Sequence, residues 1–179
     1  MIHNLESKET AVFGGGCFWC TEAIFASLKG VISVLPGYSG GKIPNPSYEQ
    51  VSDGNTGHVE CAKIQFDPKI ISFSQLLKVF FETHDPTTVN RQGNDVGTQY
   101  QSTIFYITSE QKEIAQKYVD NLNKQNFYGK KVATEIRKLE DFYVAEDYHQ
   151  KYYENHKDAP YCQLVIEPKL DKLKDIRLD

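Results

Sequence analysis

Gly14-Gly15-Gly16-Cys17-Phe18-Trp19-Cys20-Thr21-Glu22 lies between two apolar runs, Ala11-Val12-Phe13 and Ala23-Ile24-Phe25-Ala26-Ser27-Leu28. The first run reads as a short buried strand. The second has apolar residues at spacings of three and four, the mark of a helix. Glycines between them allow a tight turn and close backbone approach. Cys17 therefore falls at or near the first turn of the helix. Unpaired N–H groups and the helix dipole favour an anion there. For a cysteine that anion is the thiolate, the nucleophilic form. The bulky pair Phe18 and Trp19 follows directly and must pack inward or line a pocket. The glycines do not form a phosphate loop, because neither G-x-x-x-x-G-K-[ST] nor G-x-G-x-x-G is present. On this local context alone, a reactive Cys17 and an inert buried thiol remain equally open.

The whole chain bounds the possibilities. Its 179 residues suffice for one domain with a real core, and a single catalytic domain over 1–179 is expected. Apolar residues make up 40% and charged residues 25%, a globular balance. The net charge of −4 implies no basic face, which argues against nucleic acid as a partner. No apolar run reaches membrane-spanning length. The polar start Met1-Ile2-His3-Asn4-Leu5-Glu6 carries no signal-peptide core, so the cytoplasm is the expected compartment. Four cysteines, Cys17, Cys20, Cys61 and Cys162, then point to catalysis, redox exchange or metal binding rather than a disulfide framework.

Outward from the glycine turn, residues 1–10 form a loose lead-in, and Gly30 closes the Cys17 helix. Val31–Leu35 is a β-branched strand. Residues 36–48 read as a long loop of turn residues with Tyr38 and Tyr48 embedded. Ser47-x-x-Gln50 predicts a capping box for a short helix. His58–Phe66 alternates as a strand, with Val59, Cys61 and possibly Ala62 on one face and His58 and Glu60 on the other. Ser74 opens a helix that stops near His84-Asp85-Pro86. A second polar loop covers 87–101. Ser102–Ile107 is a strand, and Thr108 or Ser109 caps a long helix to about Asn126. Ala133–Leu139 is a strand, 142–153 holds a short helix, and the tail 160–179 ends in a peripheral helix. This interleaving fits an α/β (α+β) fold: a mixed sheet covered by helices, a two-layer plait with long active-site loops.

Seven motifs then occur in order: Gly15-Gly16-Cys17-Phe18-Trp19; Pro36-Gly37-Tyr38-Ser39-Gly40-Gly41; Pro44-Asn45-Pro46-Ser47-Tyr48; Gly57-His58-Val59-Glu60; His84-Asp85-Pro86; Arg91 to Tyr100; and Ala145-Glu146-Asp147-Tyr148-His149-Gln150. Together they resemble the A-type peptide methionine sulfoxide reductases over roughly residues 11–155. The resemblance implies that Cys17 attacks the sulfur of methionine-S-sulfoxide, free or in oxidised proteins, and becomes a sulfenic acid. It implies Glu60 as the acid, which needs a pKa raised by burial. It also implies Tyr48 and Tyr100 as phenols on the sulfoxide oxygen, Asp95 as a pocket carboxylate, and Phe18 and Trp19 as the cage for the substrate methyl group. His58, His84 and His149 are left structural. Many relatives have Gly where this chain has Cys20, so two thiols compete to resolve the sulfenic acid. Cys20 has the C-x-x-C spacing of oxidoreductases and is favoured, and Cys162 in the tail is a possible second relay. Cys61 reads as a buried structural thiol. The resemblance further implies no cofactor, with thioredoxin or a dithiol as reductant. A monomer repairing oxidative damage is expected.

Three rival classes explain part of the sequence. A zinc module would use Cys17, Cys20, His58 and Cys61, but the last two lie on opposite faces of one predicted strand. A thioredoxin-like disulfide oxidoreductase would explain Cys17 and Cys20 but not the Tyr, Glu and Asp motifs. A non-catalytic binding domain would leave Cys17 without a role.

Overall fold

The structure, a computed structural model, describes residues 7–179. The first six residues of the expected lead-in lie outside that range. Glu9 and Thr10, also assigned to the lead-in, already belong to β1 (Glu9–Gly14). The remaining sheet strands are β2 (Val31–Ser39), β3 (Val59–Phe66), β6 (Thr103–Tyr106), β7 (Glu135–Lys138) and β8 (Phe142–Val144), and β4 (Arg91–Gln92) pairs with β5 (Asp95–Val96) in a separate hairpin. The helices are α1 (Phe18–Ala26), α2 (Tyr48–Ser52), α3 (Phe73–Thr83), α4 (Ser109–Lys124), α5 (Tyr152–Asn155) and α6 (Glu167–Leu173).

Six strands form one sheet in the order β7-β6-β1-β3-β2-β8. β6 and β7 are parallel and the other pairs antiparallel, so the sheet is mixed, as expected. β1 lies inside it, with Val12 opposite Lys63 of β3 and Phe105 of β6. One face carries Phe13, Ile64, Phe66 and Ile104, packed against Ile24 and Phe25 of α1, Leu77 and Phe80 of α3, and Ala115 and Val119 of α4. Phe13 is the hub, with ring centroids of Phe25, Phe73 and Phe80 at 5.6, 5.8 and 4.9 Å. Burying one such ring contributes about 1.5–3 kcal/mol. The other face holds Val12, Val59, Cys61 and Phe105 under Leu139 and Phe142. Strand alternation puts Ala62 with Glu60 and Ile64, not with Val59 and Cys61.

Several expected boundaries move. α1 ends at Ala26, four residues before Gly30, which instead takes φ +95° in the turn into β2. β2 runs on through Pro36 and Gly37, so the predicted loop starts only after Ser39. The Pro36 carbonyl accepts the Ala145 N–H at 2.9 Å. A Cβ on Gly37 would lie 2.4 Å from the Phe142 ring and the Tyr143 carbonyl oxygen, so the glycine marks a close strand approach, not a turn. The cap of α3 is Ser72, not Ser74. Its hydroxyl accepts the Gln75 N–H at 3.2 Å, and its N–H donates to Gln75 Oε1 at 2.8 Å. The predicted Ser47 box on α2 is present in the same form. Phe142–Val144 pairs with β2 as a strand, so the expected helix over 142–153 is reduced to one 3₁₀ turn and α5. The tail is less peripheral than expected: Cys162 and Ile166 are fully buried, and α6 packs on α1 and α3.

Candidate active site

The glycine turn places Cys17 as the N-terminal cap of α1, and its carbonyl accepts the Cys20 N–H at 3.1 Å. Gly16 adopts φ +94°, and a Cβ there would meet Gln92 Cγ at 2.6 Å, so only glycine fits. Gln92 is itself clamped: its Nε2 donates to the Asp85 carbonyl and its Oε1 accepts the Asp85 N–H. That pair ties the β4–β5 hairpin to the end of α3.

The first free N–H of α1 does not serve the thiol. Phe18 N–H donates to Glu60 Oε2 at 3.1 Å. Glu60 is only 2% exposed, opposite Tyr38 in the β2–β3 register. Burial pushes its carboxyl up to about 8, with the Phe18 N–H opposing and the Asp95 and Cys20 charges adding. At neutral pH Glu60 is mostly protonated and can donate. Burial, the Cys20 sulfur and the Glu60 charge hold Cys17 well above the ordinary thiol range. The expected low-pKa Cys17 is therefore corrected for the free enzyme. Its helix start is occupied by a carboxyl, and desolvation outweighs the dipole. Cys20 instead falls to about 7, chiefly through the Cys17 thiol hydrogen bond.

A cavity of about 200 Å³ opens above Cys17 and brings together Phe18, Trp19, Tyr48, Glu60, Asp95 and Tyr100. Each comes from a different local cause. α2 and its capping box set Tyr48, β3 sets Glu60, the β4–β5 hairpin sets Asp95, and the following 3₁₀ turn Thr98–Tyr100 sets Tyr100. Burial raises both phenols above their ordinary value, so both remain neutral donors. Trp19 stacks on Tyr152 with centroids 3.6 Å apart and planes at 4°. Its indole N–H donates to His149 Nδ1 at 3.0 Å, while His149 also packs on Phe18 and Tyr48. The histidine left structural thus holds the aromatic wall. Buried Glu22 accepts the Lys151 N–H at 2.8 Å and the Tyr152 N–H at 3.4 Å, which anchors that wall to α1.

The sequence reading missed Tyr161, the remaining residue of the cavity lining. Its hydroxyl donates to Asp95 Oδ2 at 2.9 Å and lies 3.6 Å from Cys20 Sγ. No local pattern marks it, because the tail meets the pocket only after folding. Cys20 and Cys162 share one buried cluster with Ile166, and Cys17 packs against it. Cys61 lies apart, fully buried, its thiol 3.7 Å from the Gly37 carbonyl. Both His58 ring nitrogens are engaged, Nδ1 by the Gly41 N–H at 3.0 Å and Nε2 by the Ile43 carbonyl at 2.7 Å. Neither nitrogen is free for zinc. Among the described residues, no helix is long and apolar enough to cross a membrane.

A cysteine under a protonated carboxyl and neutral phenols, on a curled mixed sheet, is the layout of a thiol-dependent reductase. Residues 9–178 match the peptide methionine sulfoxide reductase family, and the chain belongs to that family. It is 57% identical over 164 residues to peptide methionine sulfoxide reductase MsrA of Sulfolobus acidocaldarius, covering 92% of each chain. The reduced form of Mxr1 from Saccharomyces cerevisiae superposes with a TM-score of 0.80 at 33% identity, covering 89% of this chain and 91% of that one. A further structure of the yeast protein is its complex with Trx2, with a TM-score of 0.57 at 24% identity, covering 85% and 89%. The enzyme reduces methionine sulfoxide.

Proposed function

We propose that Cys17 reduces methionine-S-sulfoxide, free or in oxidised proteins, by direct attack on sulfur. The reading rests chiefly on Glu60, a carboxyl that stays protonated at neutral pH beside Cys17. The substrate methyl group lies against Phe18 and Trp19, with the sulfoxide oxygen toward Glu60, Tyr48 and Tyr100. Asp95 closes the polar side of the pocket. Glu60 gives its proton to the oxygen. The sulfur becomes electron-poor, Cys17 loses its proton to water, and the thiolate attacks. The attack forms a bond between the Cys17 sulfur and the substrate sulfur. The protonated oxygen then passes to the Cys17 sulfur as both its bond to the substrate sulfur and the new sulfur–sulfur bond break. Methionine leaves with the electron pair of the latter, and Glu60 regains a proton from water. Cys17 carries the oxygen as a sulfenic acid.

Cys20 then attacks the Cys17 sulfur. A disulfide forms, the S–O bond breaks and the hydroxide leaves as water. Cys20 is the resolving thiol in this scheme because it lies one helical turn along α1, its backbone N–H donating to the Cys17 carbonyl at 3.1 Å, and shares the buried cluster against which Cys17 packs. Cys162, in the same cluster, is next in line as a relay. Thioredoxin or a small dithiol restores the thiols in a reducing compartment such as the cytoplasm, a role supported by the thioredoxin complex of the yeast relative. No prosthetic group is required.

The test is consumption of racemic N-acetyl methionine sulfoxide under dithiothreitol, resolved by chiral chromatography, with Cys17→Ser in parallel. The expected result is loss of the S epimer alone, abolished in the variant. Consumption of both epimers, or activity surviving in Cys17→Ser, overturns the assignment.

A further inference from the structure

His149 is 1% exposed, and its two ring nitrogens meet different surroundings. Nδ1 accepts the Trp19 indole N–H at 3.0 Å. An indole N–H can only donate. Nδ1 therefore carries no proton, and the neutral ring holds its proton on Nε2. Burial supports the neutral ring, holding the imidazole below its ordinary range against the opposing charge of Glu146. Nε2 is buried as well, yet among the described residues it makes no hydrogen bond. A buried donor without an acceptor is costly, so what it faces matters. It faces Glu146 Oε2 at 3.5 Å. The Glu146 carboxyl is fixed from several sides. The His149 backbone N–H donates to the Glu146 carbonyl at 2.9 Å, closing the 3₁₀ turn Asp147–His149. Tyr38 OH donates to Oε1 at 3.4 Å and Oε2 at 3.3 Å, and Tyr148 OH donates to Oε2 at 3.0 Å.

We propose that Glu146 is a positioning residue for the substrate cage: its carboxylate holds the His149 proton on Nε2, which leaves Nδ1 open to Trp19. This rests on the reading of Trp19 as a wall of the substrate pocket. A carboxylate can only accept, so an N–H turned toward it is attracted and a bare ring nitrogen is repelled. At 3.5 Å this is a charge–dipole contact rather than a hydrogen bond, and burial strengthens it. Moving the proton to Nδ1 would spoil both ends of the ring. Two N–H donors would meet at the indole, and a lone pair would face the carboxylate. The tautomer of a histidine is set in this way by the partner of its other nitrogen. The consequence reaches the pocket because Trp19 has two restraints. Its stack on Tyr152, at 3.6 Å between centroids, fixes the plane of the indole. The bond to His149 fixes its rotation within that plane, and so the edge it presents to the substrate.

The chain has one tryptophan, so a ¹H–¹⁵N correlation spectrum contains a single indole signal. Wild-type protein, Glu146→Gln and Tyr148→Phe are compared, each checked by circular dichroism. Ring ¹⁵N shifts, assigned through a His149→Gln variant, read the tautomer. Single-turnover reduction of N-acetyl methionine-S-sulfoxide separates the saturating rate from the half-saturating concentration. In wild-type protein His149 is protonated on Nε2, and the indole proton lies downfield and exchanges slowly. Glu146→Gln keeps the size and can still accept both phenol hydroxyls, but it lacks the charge. Its indole signal moves upfield and exchanges faster, and a share of His149 takes the other tautomer. The half-saturating concentration rises about five- to tenfold, the worth of one neutral hydrogen bond, and the saturating rate is unchanged. Tyr148→Phe keeps the carboxylate and matches wild type in both readouts. A folded Glu146→Gln with the wild-type indole signal and half-saturating concentration overturns the proposal. So does wild-type His149 protonated on Nδ1, a result that needs no variant to fold. A loss in Tyr148→Phe equal to that in Glu146→Gln overturns it too, because the hydroxyl rather than the charge would then hold the wall. No sulfoxide consumption by wild-type protein overturns the reductase reading, while the spectra still decide the link from Glu146 to Trp19.

Discussion

Glu60 illustrates how a residue changes character once its surroundings are known. On an alternating strand it reads as a solvent-facing carboxylate, and only the motif around it argued otherwise. The fold buries it under Tyr38 and gives it one backbone donor, Phe18 N–H. One donor does not offset desolvation, so the proton stays on to about pH 8. As the proposed acid, Glu60 must be protonated, and kcat/KM is expected to fall as pH rises through about 8. Replacing it with Gln keeps the hydrogen bond to Phe18 and removes the proton. Glu60→Gln should lower kcat/KM at pH 7 about a hundredfold or more and lose that alkaline limb, measured on the S epimer with dithiothreitol. Cys17 teaches the opposite lesson. Its position at a helix start was legible, but its ionisation was not, because the dipole argument omits who else occupies the helix terminus.

Elements separate the parts that stabilise from the parts that position. α2 and α3 carry the same capping box, Ser47 with Gln50 and Ser72 with Gln75. The boxes serve different ends. α3 contributes Leu76, Leu77 and Phe80 to the main core, whereas five-residue α2 begins at Tyr48. Ser72→Ala should cost about 1 kcal/mol and lower Tm by about 2–4 °C for a chain of this size, with activity retained. Ser47→Ala should scarcely move Tm but lower kcat/KM severalfold, because Tyr48 is less firmly held. Thermal melts and steady-state kinetics on the two variants give both readings. At this scale the sequence was informative wherever a rule is local. It marked the Ser47 box, a cap of α4 at Thr108 or Ser109, of which Thr108 takes the role, and the helix of α3. It failed at Gly37 and Phe142–Val144, where glycine and aromatic signals belong to a strand pairing between distant segments.

Across the whole molecule, buried titratable groups set the pH dependence of stability. Glu60 has a raised folded value, so between about pH 4.5 and 8 the native state holds a proton that the unfolded chain releases. Its contribution therefore weakens as pH rises through that window. His84 is lowered to about 4, so the native state lacks a proton that the unfolded chain takes up below about 6.5. Stability from this group is lost as pH falls. The two slopes oppose each other from about 4.5 to 6.5, and Glu60 then acts without His84 up to about 8. Glu60→Gln removes a slope on the order of 1 kcal/mol per pH unit. The Tm of the variant relative to wild type should climb by about 5 °C or more between pH 5 and 8. A constant difference across that range would contradict burial of the Glu60 carboxyl.

Composition and local pattern alone determined a great deal here: a globular chain, the strand–glycine–helix unit that displays Cys17, the α/β alternation, the N-terminal caps of α2 and α4, and an ordered set of motifs that resembles one reductase family. These are short-range properties, written in spacings of two, three and four residues and in the backbone freedom of glycine. Only the tertiary structure decided that Glu60 takes the helix N–H, that Cys17 is a desolvated thiol, that His149 braces Trp19, and that Tyr161 of the tail reaches Asp95 and Cys20. Those outcomes depend on burial and on charges brought together from 40 to more than 140 residues apart. Desolvation and electrostatics act through space, so no local pattern along the chain encodes them.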